Sequence, residues 1–255
     1  MKTGIFVTAR LGSTRLPRKH LQDVEGKPIF WYLLKRIEEG FRDELSNGTV
    51  RIAIVTSDEP ENRDFEQFAS EWVTVFYGAP LNIPLRHLQA ALAGDFSHVV
   101  SVDGDDILCS VEGMRRVHSA FADGIPYVKT SGLPFGMNSM GYSSEFLERS
   151  LEGHHEDALE NGWGRIFDES ALTDIAVPFK EYEQPLRFTL DYAEDLAFFR
   201  GVINALGDSV LTVTDRETAE VVTGRQLYRL NEQIHLEYWN NFRSNVEKEA
   251  RANES

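Results

Sequence analysis

The chain is short of three things. It holds a single cysteine, Cys109, in 255 residues, which excludes an internal disulfide framework and a multi-cysteine zinc site and points to a reducing compartment. It has no long hydrophobic run. The opening Lys2-Thr-Gly leads into Ile5 to Val7 and is interrupted at Arg10, far short of a secretory h-region or a membrane span. It is also poor in cations, with 26 Lys and Arg against 41 Asp and Glu and a formal charge of −15. That balance argues against nucleic acid or anionic membrane as partner of the general surface. The expectation is a soluble cytoplasmic protein with neither as a partner. What is present is enough apolar material for a substantial core, at 42% hydrophobic residues, which excludes disorder, collagen and coiled coil as overall descriptions.

The few cations are unevenly spread. Residues 1–36 hold eight basic residues and two acidic ones, leaving 18 basic and 39 acidic residues in the remainder. A start of +6 on a body of −21 suits a small polyanionic ligand better than a long one.

Four apolar or β-branched runs bounded by turn signals predict strands at Gly4 to Ala9, Val50 to Thr56, Val73 to Tyr77 and His98 to Val102. Helical patterns lie between them at Pro28 to Glu39, Asn62 to Glu71 and Pro84 to Ala93. This alternation predicts an α/β fold, a mixed, mostly parallel sheet with helices on both faces, with ligand chemistry at the carboxyl ends of the strands. Beyond Asp106 the pattern loosens. Val111 to Ala122, Glu145 to Leu151, Glu194 to Leu206 and Gln226 to Glu247 read as helices. Pro126 to Thr130, Thr173 to Phe179 and Leu186 to Leu190 read as strands. With no repeat and no low-complexity linker, the expectation is one domain over residues 1–255, with a small inserted substrate and dimerisation lobe at about 110–180 and a C-terminal helix at 225–250.

Directly after the first strand comes Ala9-Arg10-Leu11-Gly12-Ser13-Thr14-Arg15-Leu16-Pro17-Arg18-Lys19. A glycine, two hydroxyls and four cations in a βα loop supply the donors and fixed charge that triphosphate recognition needs. It is not a Walker A loop. A solvated basic loop is the other reading of the same composition. At the end of the fourth strand stands Asp103-Gly-Asp105-Asp106, whose carboxylates repel one another unless a cation sits among them. Hard oxygen ligands favour Mg²⁺, whereas an Asx turn ahead of Val111 would need no metal. In a second cluster, Arg187-Phe-Thr-Leu-Asp191-Tyr-Ala-Glu194-Asp195-Leu196, Asp191 could cap a helix with Glu194 three residues on as a capping box, which needs no chemistry.

Residues 9–19, followed by Leu21 and Gly26-Lys-Pro28, resemble the opening signature of the sugar-acid cytidylyltransferases: CMP-Kdo synthetase, CMP-acylneuraminate synthetase and the spore-coat polysaccharide cytidylyltransferase subgroup. Their pattern is Ala-Arg-x-x-Ser-x-Arg-Leu-Pro-Gly-Lys, and here Arg18 occupies the place of the glycine. Gly104-Asp105 similarly resembles the family's Gly-Asp-x-Pro, and Asp191-Tyr-Ala-Glu-Asp-Leu its Asp-x-Pro-Glu-Asp-Leu. The resemblance implies a Rossmann-like nucleotide-diphospho-sugar transferase fold of the GT-A-like kind. It further implies CMP transfer from CTP to a sugar acid, with release of pyrophosphate, for surface polysaccharide or glycoconjugate biosynthesis. On that basis Arg10 and Lys19 hold the triphosphate and Asp105 and Asp191 coordinate a catalytic Mg²⁺; these four are the expected catalytic residues. Ala9, Gly12, Ser13, Arg15 and Asp103 complete the expected nucleotide site. So do Thr56 and Ser57, from Ala53-Ile-Val-Thr-Ser57 with Asn62, and Arg86, although Leu85 replaces the customary aspartate before it. Arg15, Pro134, Gly136 and Tyr142 are the expected acceptor contacts, and a homodimer is expected.

Two other readings use the same residues: a metal-dependent glycosyltransferase built on Asp103-Gly-Asp105, and a non-catalytic nucleotide-binding relative. His154 and His155 with Glu156 and Asp157 are discounted as metal ligands because adjacent side chains rarely face one site. Cys109 is read as a packing residue, since no paired base is evident. Trp239 and Phe242 in the C-terminal helix are read as packing or dimer contacts.

Overall fold

The computed structural model describes residues 1–154, 158–234 and the single positions 238, 244, 246, 248 and 251. The strands are β1 Thr3–Thr8, β2 Asp23–Val24, β3 Lys27–Pro28, β4 Val50–Ser57, β5 Val73–Gly78, β6 His98–Asp103, β7 Tyr127–Ser131, β8 Met140–Ser143 and β9 Leu172–Ala176. The helices are α1 Ile29–Gly40, α2 Arg42–Asn47, α3 Ile83–Gly94, α4 Val111–Ala120, α5 Ser144–Leu151, α6 Ala193–Leu206 and α7 Asp215–Gly224. Seven strands form one sheet in the order β5-β4-β1-β6-β8-β7-β9, and β2 and β3 make a separate antiparallel pair. β1 pairs in parallel with β4 and β6, while β8 runs antiparallel between β6 and β7. The sheet is mixed and mostly parallel, as expected.

The central strands read as continuous apolar runs because helices cover both faces. Ile5 and Val7 on one face of β1 join Phe30, Leu33, Leu34 and Ile37 of α1, while Phe6 on the other joins Ala90 and Ala91 of α3. Local signals set the helix starts. The side chain of Asn82 accepts from Leu85 N at 2.9 Å ahead of α3, and that of Ser110 accepts from Gly113 N at 2.8 Å ahead of α4.

Several expectations shift. The helix expected at 62–71 is a 3-10 helix, Pro60–Phe68. Its inward residues Asn62, Phe65 and Phe68 recur every third position, the period of that tighter helix. Leu186 to Leu190 forms no strand of the sheet. It is an extended segment with one isolated bridge, Phe135 to Arg187, and it is apolar because Leu186, Phe188 and Leu190 pack under α6 and α7. Helix α7 was not foreseen, although Thr214 and Glu217 form a reciprocal capping box at its start. Residues 227–230 form a 3-10 turn. Trp239 and Phe242 of the expected C-terminal helix lie outside the described residues, as do His155, Glu156 and Asp157. Among the described residues no helix is long and apolar enough to cross a membrane.

Candidate active site

The carboxyl ends of β1 and β6 meet directly. Gly104 N donates to Thr8 O at 2.7 Å, and a Cβ on Gly104 would lie 2.8 Å from both Ala9 Cβ and Thr8 O. Only glycine lets the two loops touch this closely. The loop leaving β1 is held from the side by Asn62, whose Oδ1 accepts from Leu11 N at 2.8 Å while its Nδ2 donates to Ser57 O and Oγ at 3.1 and 2.9 Å. The loop ends at Arg18, whose φ of 52° and ψ of 39° are left-handed, so arginine adopts the backbone turn that suits glycine. The 3-10 turn Lys19–Leu21 that follows buries both Lys19 and His20.

This turn brings the two distant carboxylate clusters together. Lys19 Nζ donates to Asp105 Oδ2 at 2.5 Å and to Asp191 Oδ1 at 3.1 Å. His20 Nε2 donates to Asp105 Oδ1 at 2.9 Å. Arg15 Nη2 reaches Asp191 Oδ1 at 2.9 Å, and the Arg15 guanidinium lies 5.0 Å from the Tyr192 ring. From behind, Arg187 holds Asp191 Oδ2 at 3.1 Å and Asp195 at 2.9 Å. Asp195 in turn accepts from the backbone N–H groups of Asp191 and Tyr192 at 2.9 and 3.1 Å, capping α6. A capping box is present but one residue further along than expected: the N-cap is Tyr192 and its partner is Asp195, not Asp191 with Glu194, so Asp191 is left to face the site.

The charges are unequally satisfied. Burial alone would push the Asp105 carboxyl up, but Lys19 and His20 hold it well below the usual carboxylate range. Lys19 is driven the opposite way: burial would lower it, and Asp105 and Asp191 raise it above its ordinary value. Asp103, exposed at the carboxyl end of β6, is raised to about 6 by the loss of solvation among its protein neighbours and by Asp105. Asp106 is also raised, by burial and then by Asp103.

Two hard carboxylate oxygens, from Asp105 and Asp191, converge on one cation position that the Lys19 ammonium takes. That donor set fits a divalent ion completed by phosphate oxygens and water, provided the ammonium shifts aside. Among the described residues no group of three or more His, Cys, Asp or Glu is arranged to hold a metal by itself.

The other expected residues divide between cleft and core. Gly12 is exposed and Ser13 half-buried on the loop, and Ala9 is buried at its root. Arg10 is 47% exposed and paired with Glu160 at 2.8 Å. Thr56 and Ser57 are fully buried; Ser57 is tied to the loop through Asn62, and the Thr56 hydroxyl has no hydrogen-bond partner among the described residues. Arg86 is also buried; it donates to Ala79 O at 2.7 Å and Pro80 O at 2.6 Å, clamping the loop after β5 instead of presenting a free cation. Tyr142 is displaced furthest from its expected role. It lies in the core on β8 with its hydroxyl on His87 Nδ1 at 2.5 Å, and so cannot contact an acceptor in the cleft. Pro134 is half-buried, and Gly136, at φ +87°, lies so close to Phe188 that a Cβ would be 2.5 Å from its carbonyl. Gly136 thus seats its loop against the segment leading to Asp191. Cys109 is buried with its thiol pushed well up by burial, in keeping with a packing role. The reading of the sequence overlooked His20, Glu160 and the Arg187 clamp, although an arginine four residues before Asp191 was visible in the sequence.

The family model of the cytidylyltransferases matches residues 5–154, a stretch holding both the Arg10 to Lys19 loop and Asp103 to Asp106. The chain belongs to the cytidylyltransferase family. It is similar to the 3-deoxy-manno-octulosonate cytidylyltransferase 2 of Hydrogenovibrio crunogenus, at 31% identity over 124 residues, covering 48% of this chain and 47% of that protein. The match thus spans about half the length of that relative. Among solved structures, a cytidylyltransferase from Leptospira borgpetersenii superposes with a TM-score of 0.77 at 20% identity, over 91% of this chain and 98% of that one. A CMP:2-keto-3-deoxy-manno-octonic acid synthetase solved with CTP superposes at 0.54 and 13% identity, over 80% and 99%. At these identities the superpositions establish the fold, a Rossmann-like nucleotidyltransferase architecture. Within this cytidylyltransferase-family chain, the 186–195 segment that completes the cluster lies beyond the matched stretch.

Proposed function

We propose that the chain transfers CMP from CTP to a sugar acid of the Kdo or nonulosonate kind and releases pyrophosphate. The observation that carries this reading is the convergence on Lys19 of Asp105 and Asp191, placed by the cationic loop at the carboxyl ends of the central strands. An oxygen of the acceptor forms a bond to the α-phosphorus as the bond to the β-phosphate oxygen breaks. Such a transfer asks the protein for position and charge more than for covalent chemistry. Arg10 and Lys19 balance the charge gathering on pyrophosphate, and Gly12 and Ser13 offer backbone and hydroxyl donors on the same loop. Arg15, held against Asp191 and Tyr192, is aimed where an acceptor carboxylate would sit. A Mg²⁺ ion held by Asp105 and Asp191 would polarise the α-phosphate. A homodimer, with residues 110–180 as its contact and acceptor lobe, belongs to the same proposal.

Pyrophosphate release measured with CTP, Mg²⁺ and a panel of sugar acids tests it. Release should require both a divalent ion and one class of acceptor. Asp105→Asn should cut turnover about 10²-fold or more at an unchanged melting temperature. Release without acceptor dependence, or none with any acceptor, overturns the reading.

A further inference from the structure

His20 is 1% exposed, and its two ring nitrogens meet opposite surroundings. Nε2 faces Asp105 Oδ1 at 2.9 Å, whereas Nδ1 has no hydrogen-bond partner among the described residues. The ring is wedged edge-on between Phe30 and Phe65, with centroids 5.2 and 5.7 Å away. A carboxylate only accepts, so the imidazole donates through Nε2. The apolar pocket fixes the ring and therefore the direction of that N–H.

The two oxygens of Asp105 are thus divided between consecutive residues of one short turn: Lys19 takes Oδ2 and His20 takes Oδ1. These partners differ in permanence. Lys19 sits at the end of the cationic loop, and a triphosphate bound there competes for its ammonium. His20 is locked among aromatic rings and, at 1% exposed, has no route into the cleft. When Lys19 turns toward phosphate, the side chain still restraining Asp105 is His20, and the oxygen set free is Oδ2, the one that shares the Lys19 ammonium with Asp191 Oδ1.

We infer that His20 is the positioning residue of this site, holding Asp105 by Oδ1 so that Oδ2 stays presented to the ion and the α-phosphate after Lys19 lets go. This deepens the cytidylyl-transfer reading and rests on it for the role of Asp105. A hydrogen bond from a residue behind a metal-ligating group commonly governs metal affinity or activity by about 10–100-fold, so the contact is consequential even though His20 touches no reactant.

The test uses the full chain with Mn²⁺ as a paramagnetic probe, titrated in the presence of the α,β-methylene analogue of CTP, alongside kcat and KM for CTP. His20→Leu fills the apolar pocket but removes the donor; His20→Gln keeps a donor near the Nε2 position. The Leu variant should bind Mn²⁺ about tenfold more weakly and lose kcat about 10–100-fold, with KM for CTP changed less than about threefold. The Gln variant should recover both quantities to within about threefold. Wild-type Mn²⁺ affinity in the Leu variant overturns the inference. So does a Gln variant as impaired as Leu at the wild-type melting temperature, because ring packing and not the N–H would then be what matters. If the wild-type chain transfers no CMP, the reading of its function fails while the Mn²⁺ titration still decides the role of His20.

Discussion

Two stretches of the chain carry nearly the same sequence cue, three acidic residues within a few positions, and the fold treats them differently. The segment at 187–195 brings its own counter-charge. Arg187, 1% exposed, grips Asp191 and Asp195, and Asp195 is further satisfied by two backbone N–H groups and by Asn231 at 3.0 Å. The loop at 103–106 brings none. It borrows Lys19 and His20 from more than eighty positions away, and the loan reaches only Asp105. Asp103 and Asp106 are left with raised affinities for protons. A carboxylate cluster that carries its own cation is built to hold structure. Asp105, by contrast, depends on a cation and a donor that another part of the chain supplies.

The largest expected effect separates the two stretches by their cations. Arg187→Met would leave Asp191 and Asp195 facing an apolar side chain in the core, and breaking a buried pair from one side costs about 3–5 kcal/mol. Lys19→Met should cost less, about 1–2 kcal/mol, because Asp105 is 29% exposed and regains water while the buried Asp191 keeps Arg15 and Arg187. Urea unfolding of the two variants measures the difference. Equal losses would erase the distinction drawn between the stretches.

A smaller effect should appear in pH. The folded chain holds Asp103 at about 6, above its ordinary 3.8, so between those values the native state binds more protons at this group than the unfolded state does. Its contribution to stability is therefore fully present below about 4 and is lost as the pH rises through about 6. Asp103→Asn removes the titrating group. Because Asp103 is exposed, water screens much of the repulsion, so the variant should melt only about one degree above the wild type at pH 7, and the two curves should converge toward pH 4. A mutant without that convergence would show that Asp103 is not the unpaired charge of the loop.

How far the sequence disclosed this arrangement depends on distance along the chain. β1, β4, β5 and β6 were legible because each is a short apolar run between turn signals. The Arg10 to Lys19 loop was legible because its chemistry is local. Tyr142 was misread because β8 is four residues long and carries little apolar pattern. Nothing local shows that it fills the antiparallel slot between β6 and β7. Leu186 to Leu190 has the composition of a strand, yet its backbone bonds go to loops, Phe188 N to Phe135 O and Leu190 N to Asp105 O. The pairing of His20 with Asp105 leaves no trace in either neighbourhood, since it depends on the register of two loops across the sheet.

The smallest effect concerns another cation of the N-terminal loop. Arg18 stands at a left-handed backbone position, which costs a non-glycine residue roughly 1–2 kcal/mol. In return it forms a 2.5 Å ion pair with Asp64 in which both side chains are about half exposed, at 51% and 49%. Such a pair is worth only about 0.2–1 kcal/mol and weakens with salt. Arg18→Gly relieves the backbone cost, loses the pair and adds about 0.4–1 kcal/mol of unfolded-state entropy. The three terms nearly cancel, so the variant should lie within about 1 kcal/mol of the wild type at low ionic strength. Raising the salt removes only the ion-pair term, which shifts the balance toward glycine. Unfolding measured at about 0.05 and 1 M salt should therefore move the variant upward relative to the wild type. A shift in the other direction would mean that Arg18 is held by something more than Asp64, and that the N-terminal loop keeps part of its cationic charge for the fold itself.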